Sequence, residues 1–128
     1  MDNKLGKSYS LKSKISIDSL FESGKRISSY PFVVFMKECV LEEGETFKLV
    51  FSAPKKTFRF AYQRNRIKRV MRECIRLNKQ PFETYLKENK KQVAFFLIYA
   101  NKEELEYELL QKKAIKLFSK MIKQLDEK

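Results

Sequence analysis

Residues 63–77 constrain this chain more than any other stretch. Ile67, Val70, Met71, Cys74 and Leu77 recur at the three-and-four spacing that an α-helix gathers on one side. Arg64, Lys68, Arg72 and Arg76 recur every fourth residue, with Arg69 alongside, and the same helix lines them up as a cationic ridge on another side. Like charges at that spacing repel by about 0.2–0.5 kcal/mol per neighbouring pair. A helix carrying that repulsion gains from meeting a polyanion. The remaining residues read as a frame that holds the ridge in place.

Charge in the whole chain follows the same lead. Among 128 residues, 28 are Lys or Arg and 16 are Asp or Glu, a net charge of +12. Residues 55–79 hold ten basic residues and one acid, whereas residues 103–128 hold six of each. A concentrated excess of this kind is an electrostatic footprint for an anionic partner. The length suits one domain with a real core. Cys39 and Cys74 fall in apolar patterns and read as buried thiols. With no histidine and no clustered cysteine, the usual zinc sites and Ser-His or Cys-His nucleophiles are excluded. The opening Met-Asp-Asn-Lys-Leu-Gly-Lys has no apolar core, so no signal peptide is expected there. Val93–Ala100 is too short to span a bilayer as a helix. A reduced, cytoplasmic protein is expected.

Along the chain, residues 1–14 read as a mobile basic arm and residues 15–128 as a single α/β domain. Ile15–Ser23 gives a short amphipathic helix ending at Gly24, followed by an exposed Lys25-Arg26 pair. Pro31–Val40 reads as a strand with Phe32, Val34 and Met36 on one face. Glu42-Glu43-Gly44-Glu45 turns, Gly44 supplying a positive φ, and Thr46–Ala53 returns antiparallel with Phe47, Leu49 and Phe51 on one face. Pro54-Lys55-Lys56 opens a connector rich in aromatic and basic residues. The basic helix follows and stops near Asn78, and Phe82–Lys87 adds a helical turn or two. Val93–Ala100 is apolar on both faces, as a central strand is. Leu105, Leu109, Ala114, Leu117, Phe118, Met121, Ile122 and Leu125 mark a last amphipathic helix with an acidic start. The class is α+β, with one small sheet.

For the ridge, a membrane-surface role would need a large free apolar face, and here that face is required by the core. Nucleic acid is the better partner. RNA is favoured over duplex DNA because Phe58, Phe60, Tyr62 and Phe35 are available to stack on unpaired bases. Asn65 can donate and accept at a base edge or phosphate, unlike its cationic neighbours. The acids sit in the 42–45 turn and on the last helix, as solvated faces do, so no acid–base pair for catalysis is in view.

Ala61-Tyr62-Gln63-Arg64-Asn65-Arg66-Ile67-Lys68-Arg69-Val70-Met71-Arg72-Glu73 resembles the signature helix of the protein-subunit family of bacterial ribonuclease P. Leu20-Phe21-Glu22-Ser23-Gly24-Lys25-Arg26 is similar to that family's first helix and following glycine, and Ala53-Pro54-Lys55-Lys56 to its paired lysines. The likeness runs over about residues 11–100. It implies a small αβ sandwich: one mostly antiparallel sheet of about four strands, a left-handed βαβ crossover, and the order α-β-β-(β)-α-β-α. It implies a subunit of a ribonucleoprotein endoribonuclease that binds the catalytic RNA and the 5′ leader of precursor tRNA, with no stable protein partner. The RNA subunit is then the catalyst, and Mg2+ is held mainly by that RNA and the substrate. By position, Arg64, Asn65, Arg66, Lys68, Arg69 and Arg72, with Lys55 and Lys56, are implied to contact RNA. Ile17, Phe21, Phe35 and Lys48 are implied in a leader cleft. Ile17 stands where the family commonly has an aromatic, and Pro54 where it has a small polar residue, so a backbone N–H for phosphate is lost there.

Overall fold

The computed structural model describes residues 22–126. The expected arm and most of the expected first helix, including Ile17 and Phe21, lie outside the described residues. Within them the order is β1 (Lys25–Ser29), β2 (Phe32–Glu38), β3 (Phe47–Ser52), α1 (Ala61–Asn78), α2 (Gln80–Glu88), β4 (Val93–Tyr99) and α3 (Tyr107–Asp126). This is the α+β architecture expected, with a single four-stranded, mostly antiparallel sheet. Among the described residues no helix is long and apolar enough to cross a membrane.

The strands lie in the order β1-β2-β4-β3. β2 and β3 run in opposite directions, as expected, but they are not partners. β4 lies between them, antiparallel to β2 and parallel to β3, with Val34 opposite Leu97 and Leu97 opposite Phe51. The reason is apolar content. β4 presents Val93, Phe95 and Leu97 to one face and Ala94, Phe96 and Ile98 to the other, so the central position covers it best. The 42–45 turn is consequently a link between non-adjacent strands. Gly44 does adopt the positive φ, 88°, and Gln92 at the entrance to β4 holds the turn, accepting from Leu41 N–H at 2.9 Å and donating to the Glu42 and Glu45 carbonyls.

β1 is a strand that the sequence reading lacks. Lys25 and Arg26 are exposed as expected, but they pair with Met36 and Phe35. One buried aliphatic residue, Ile27, in five positions leaves almost no periodic signal, and the charged opening suits an edge strand.

One sheet face carries the core. Ile27, Val34, Met36, Phe47, Leu49, Phe95, Leu97 and Tyr99 are buried there beneath α1, α2 and α3. From α1 the buried residues are Ile67, Met71, Cys74 and Ile75, while Leu77, expected on the apolar face, is 45% exposed. At 3.6 residues per turn Ile75 and Leu77 fall on opposite borders of the apolar stripe, and the packing of α1 takes the Ile75 border. α3 begins at Tyr107, later than the acidic run suggested, and buries Leu110 where Leu109 was expected; Leu109 is exposed. Cys39 and Cys74 are free thiols, Cys74 fully buried.

Candidate nucleic-acid interface

The connector after β3 turns sharply because the Pro54 carbonyl accepts both the Thr57 N–H (3.1 Å) and the Phe58 N–H (2.9 Å). Lys55 and Lys56 lie exposed on that turn. Phe58 then goes inward: it is buried against Tyr99 at 5.9 Å between ring centroids, so it belongs to the core and not to the set of base-stacking candidates. Phe60 and Tyr62 go outward.

Helix α1 starts without a side-chain cap and without an acid in its first turn, so its N–H groups and dipole present positive potential. Arg64 is turned back to the connector, its Nη1 donating to the Phe58 carbonyl at 2.7 Å and the Arg59 carbonyl at 3.0 Å. It is half-buried and fixes the connector to the helix as much as it presents charge. Asn65 is exposed. Arg66 is also exposed, but it forms a two-pronged pair with Glu104, Nε to Oε1 at 2.6 Å and Nη2 to Oε2. The Arg66 hydrogen bonds hold the Glu104 carboxyl below its ordinary range, so the pair is formed at neutral pH. Sequence spacing gives no sign of this partner, since Glu104 lies in a different part of the chain, beyond β4.

Farther along, Lys68 is half-buried, and Arg69 and Arg72 face solvent. The Arg72 guanidinium sits over the Phe51 ring, 5.4 Å from its centroid, which orients it without neutralising it. Arg76 pairs with Glu73, whose carboxyl is held below its usual range by the Arg76 hydrogen bond. The two charges cancel locally, and the ridge proper ends at Arg72. Lys55, Lys56, Arg64, Asn65, Arg66, Lys68, Arg69 and Arg72 therefore belong to one stretch of structure, the connector and the helix it feeds.

The other predicted residues lie elsewhere. Phe35 and Lys48 are on the sheet face opposite the helices: Phe35 shares a cross-strand row with Phe96 and Val50, and Lys48 shares one with Lys37 and Ala94. Both are half-buried, and Lys48 pairs with Glu45 at 2.6 Å. Their expected companions Ile17 and Phe21 lie outside the described residues. Among the described residues no group of three or more His, Cys, Asp or Glu is gathered as a metal site.

A family model described as Ribonuclease P matches residues 5–122. The chain belongs to the ribonuclease P protein family. It is 36% identical to the ribonuclease P protein component of Porphyromonas gingivalis over 84 residues, 66% of this chain and 61% of that one. To the component of Lactobacillus helveticus it is 36% identical over 69 residues, 54% and 55% of the two chains. The matches thus span about three fifths or less of those relatives' length. In fold it is similar to the RNase P protein of Staphylococcus aureus, with a TM-score of 0.66 and 22% identity over 88% of this chain and 94% of that one. The RNase P protein of Thermotoga maritima gives the same score and identity over 87% and 96%. Membership agrees with the resemblance carried by the Ala61–Glu73 segment.

Proposed function

We propose that this chain is the protein component of a ribonuclease P ribonucleoprotein, and that it assists the endonucleolytic removal of the 5′ leader from precursor tRNA. The observation that carries the reading is the cationic run of α1. Lys68, Arg69 and Arg72 lie along one helix, in a chain of the ribonuclease P protein family. On this reading the ridge, with Lys55, Lys56, Asn65 and Arg66, neutralises phosphates of the catalytic RNA. The sheet face opposite the helices, with Phe35 and Lys48, together with Ile17 and Phe21, guides the single-stranded leader. The protein supplies binding and orientation. On this reading bond cleavage belongs to the RNA subunit, with Mg2+ held by RNA and substrate. A cytoplasmic location goes with this role.

The test is multiple-turnover cleavage of a precursor tRNA by the source organism's catalytic RNA at low magnesium, with and without the protein. Strong stimulation is expected, and its loss in Lys68→Ala/Arg69→Ala with an unchanged fold places the effect on the ridge. Arg64 is unsuitable for this test because it also ties the connector. A folded protein that binds RNA yet gives no stimulation rules the reading out.

A further inference from the structure

Two large rings stand in solvent where the connector meets α1. Phe60 is 51% exposed and Tyr62 is 62% exposed, and they stack on each other with centroids 5.6 Å apart and planes 23° from parallel. Neither belongs to the buried core, which takes Phe58 instead. The backbone beneath them is fixed. Phe58 is anchored against Tyr99, Arg64 grips the Phe58 and Arg59 carbonyls, and the Phe60 carbonyl accepts the N–H groups of Gln63 (3.1 Å) and Arg64 (3.3 Å). A surface built on a fixed base loses little freedom when a ligand meets it.

The surroundings choose the ligand. The Arg59 guanidinium lies 5.6 Å from the Phe60 centroid, and that of Arg66 lies 5.8 Å from the Tyr62 centroid. Lys55 and Lys56 are exposed on the same connector, and the acid that reaches this cluster is Glu104, bonded to Arg66. Two flat rings among cations fit a partner that is itself flat and aromatic with negative charge close by. A lipid surface would instead need a broad aliphatic face.

We propose that Phe60 and Tyr62 form a stacking platform for an unpaired base of the bound RNA, with Arg59 and Arg66 taking the flanking phosphates. This rests on the RNA-binding reading of the ridge. Every base has a π face, so the contact tolerates sequence. The Arg59 guanidinium over an exposed ring is held weakly, whereas charge-assisted hydrogen bonds to phosphate are strong, so Arg59 can turn from ring to phosphate as the base arrives. Arg66 keeps its Glu104 pair through Nε and Nη2 and offers Nη1 to the other phosphate. The platform would add a contact beyond the phosphate ridge.

The full chain is titrated with a short single-stranded oligoribonucleotide carrying one 2-aminopurine, between 50 and 200 mM salt. Stacking is expected to quench the probe. Phe60→Leu/Tyr62→Leu should weaken binding by about 10-fold or more and abolish the quenching. The slope of log affinity against log salt should stay unchanged, because no phosphate contact is removed. Phe60→Tyr, which keeps a flat ring, should behave as wild type. Wild-type binding without quenching overturns the platform and leaves the ridge standing, as does equal affinity of the double variant. A loss of affinity with a shallower salt slope also overturns it, because the rings then serve only to hold Arg59 and Arg66. Absence of salt-dependent binding by the wild type overturns the RNA-binding reading itself. If the double variant fails to fold by circular dichroism, the wild-type quench and Phe60→Tyr still decide.

Discussion

Cys74 shows how strictly α1 is divided between its two faces. Its neighbours in sequence include Arg72, Glu73 and Arg76, yet its thiol is fully buried and burial pushes its pKa up to about 11. The sign of the consequence is fixed. An unfolded thiol ionises near its ordinary value of 9.0, whereas the folded one keeps its proton, so between about pH 9 and pH 11 the native state binds more protons and loses stability as pH rises. Melting temperatures are expected to be insensitive to this group below pH 9 and to fall above it. The fall should be shallower in Cys74→Ala, whatever the variant's stability at neutral pH. At pH 7 the same burial keeps Cys74 inert to thiol reagents until the protein unfolds. Equal slopes in the two proteins would show that the thiol is not enclosed as described. Arg66 illustrates the opposite limit: a ridge residue by spacing, its side chain is engaged by Glu104, and only the three-dimensional structure reveals it.

At the scale of elements, β4 carries the fold. Leu97 is fully buried and sits in register with Val34 on one side and Phe51 on the other, facing the helices. Leu97→Ala is expected to cost about 2–5 kcal/mol in denaturant unfolding; a loss well under that range would mean the centre of the sheet is not where the core is concentrated. The central place of β4 was legible from its two-sided apolar run, and α1 was legible from its two periodicities. The separation of β2 from β3 by β4 was not. Local alternation says that each is a strand, but the choice of neighbour is decided by a strand that enters the chain much later. β1 escaped notice because charges and serines dominate it. In the sequence Phe58, Phe60 and Tyr62 are equal candidates for stacking, and the structure divides them, Phe58 inward and Phe60 and Tyr62 outward. Residues of one type within five positions cannot be sorted by composition; the Pro54 turn and the Arg64 tether do the sorting.

For the molecule as a whole, the +12 charge matters through its placement. The helix-covered face of the sheet holds the core, the opposite face carries the half-buried Phe35 and Lys48, and the exposed cations of α1 and its connector lie outside both. A partner whose contact with this surface covers ~6–10 phosphates should lose ~10³–10⁵ in affinity between 50 and 200 mM salt. Affinity that is flat with salt would exclude the ridge as the binding surface. The acid-rich stretch before α3 is part of the same balance, since Glu104 from it engages Arg66.

The late arrival of β4 also bears on how such a chain is made. Phe47 of β3 pairs with Val93 of β4, so the parallel pair closes only after α1 and α2 have been synthesised. On the ribosome, β2 and β3 must wait without their common neighbour, because the most basic segment of the chain leaves the exit tunnel before β4 does. Closing so long a loop is entropically slow. A nascent chain whose basic segment has emerged while β4 is still in the tunnel would therefore expose its cations as an unframed segment, free to stick to any RNA within reach, ribosomal RNA included. Release of β4 is the step that turns a sticky polycation into a shaped surface.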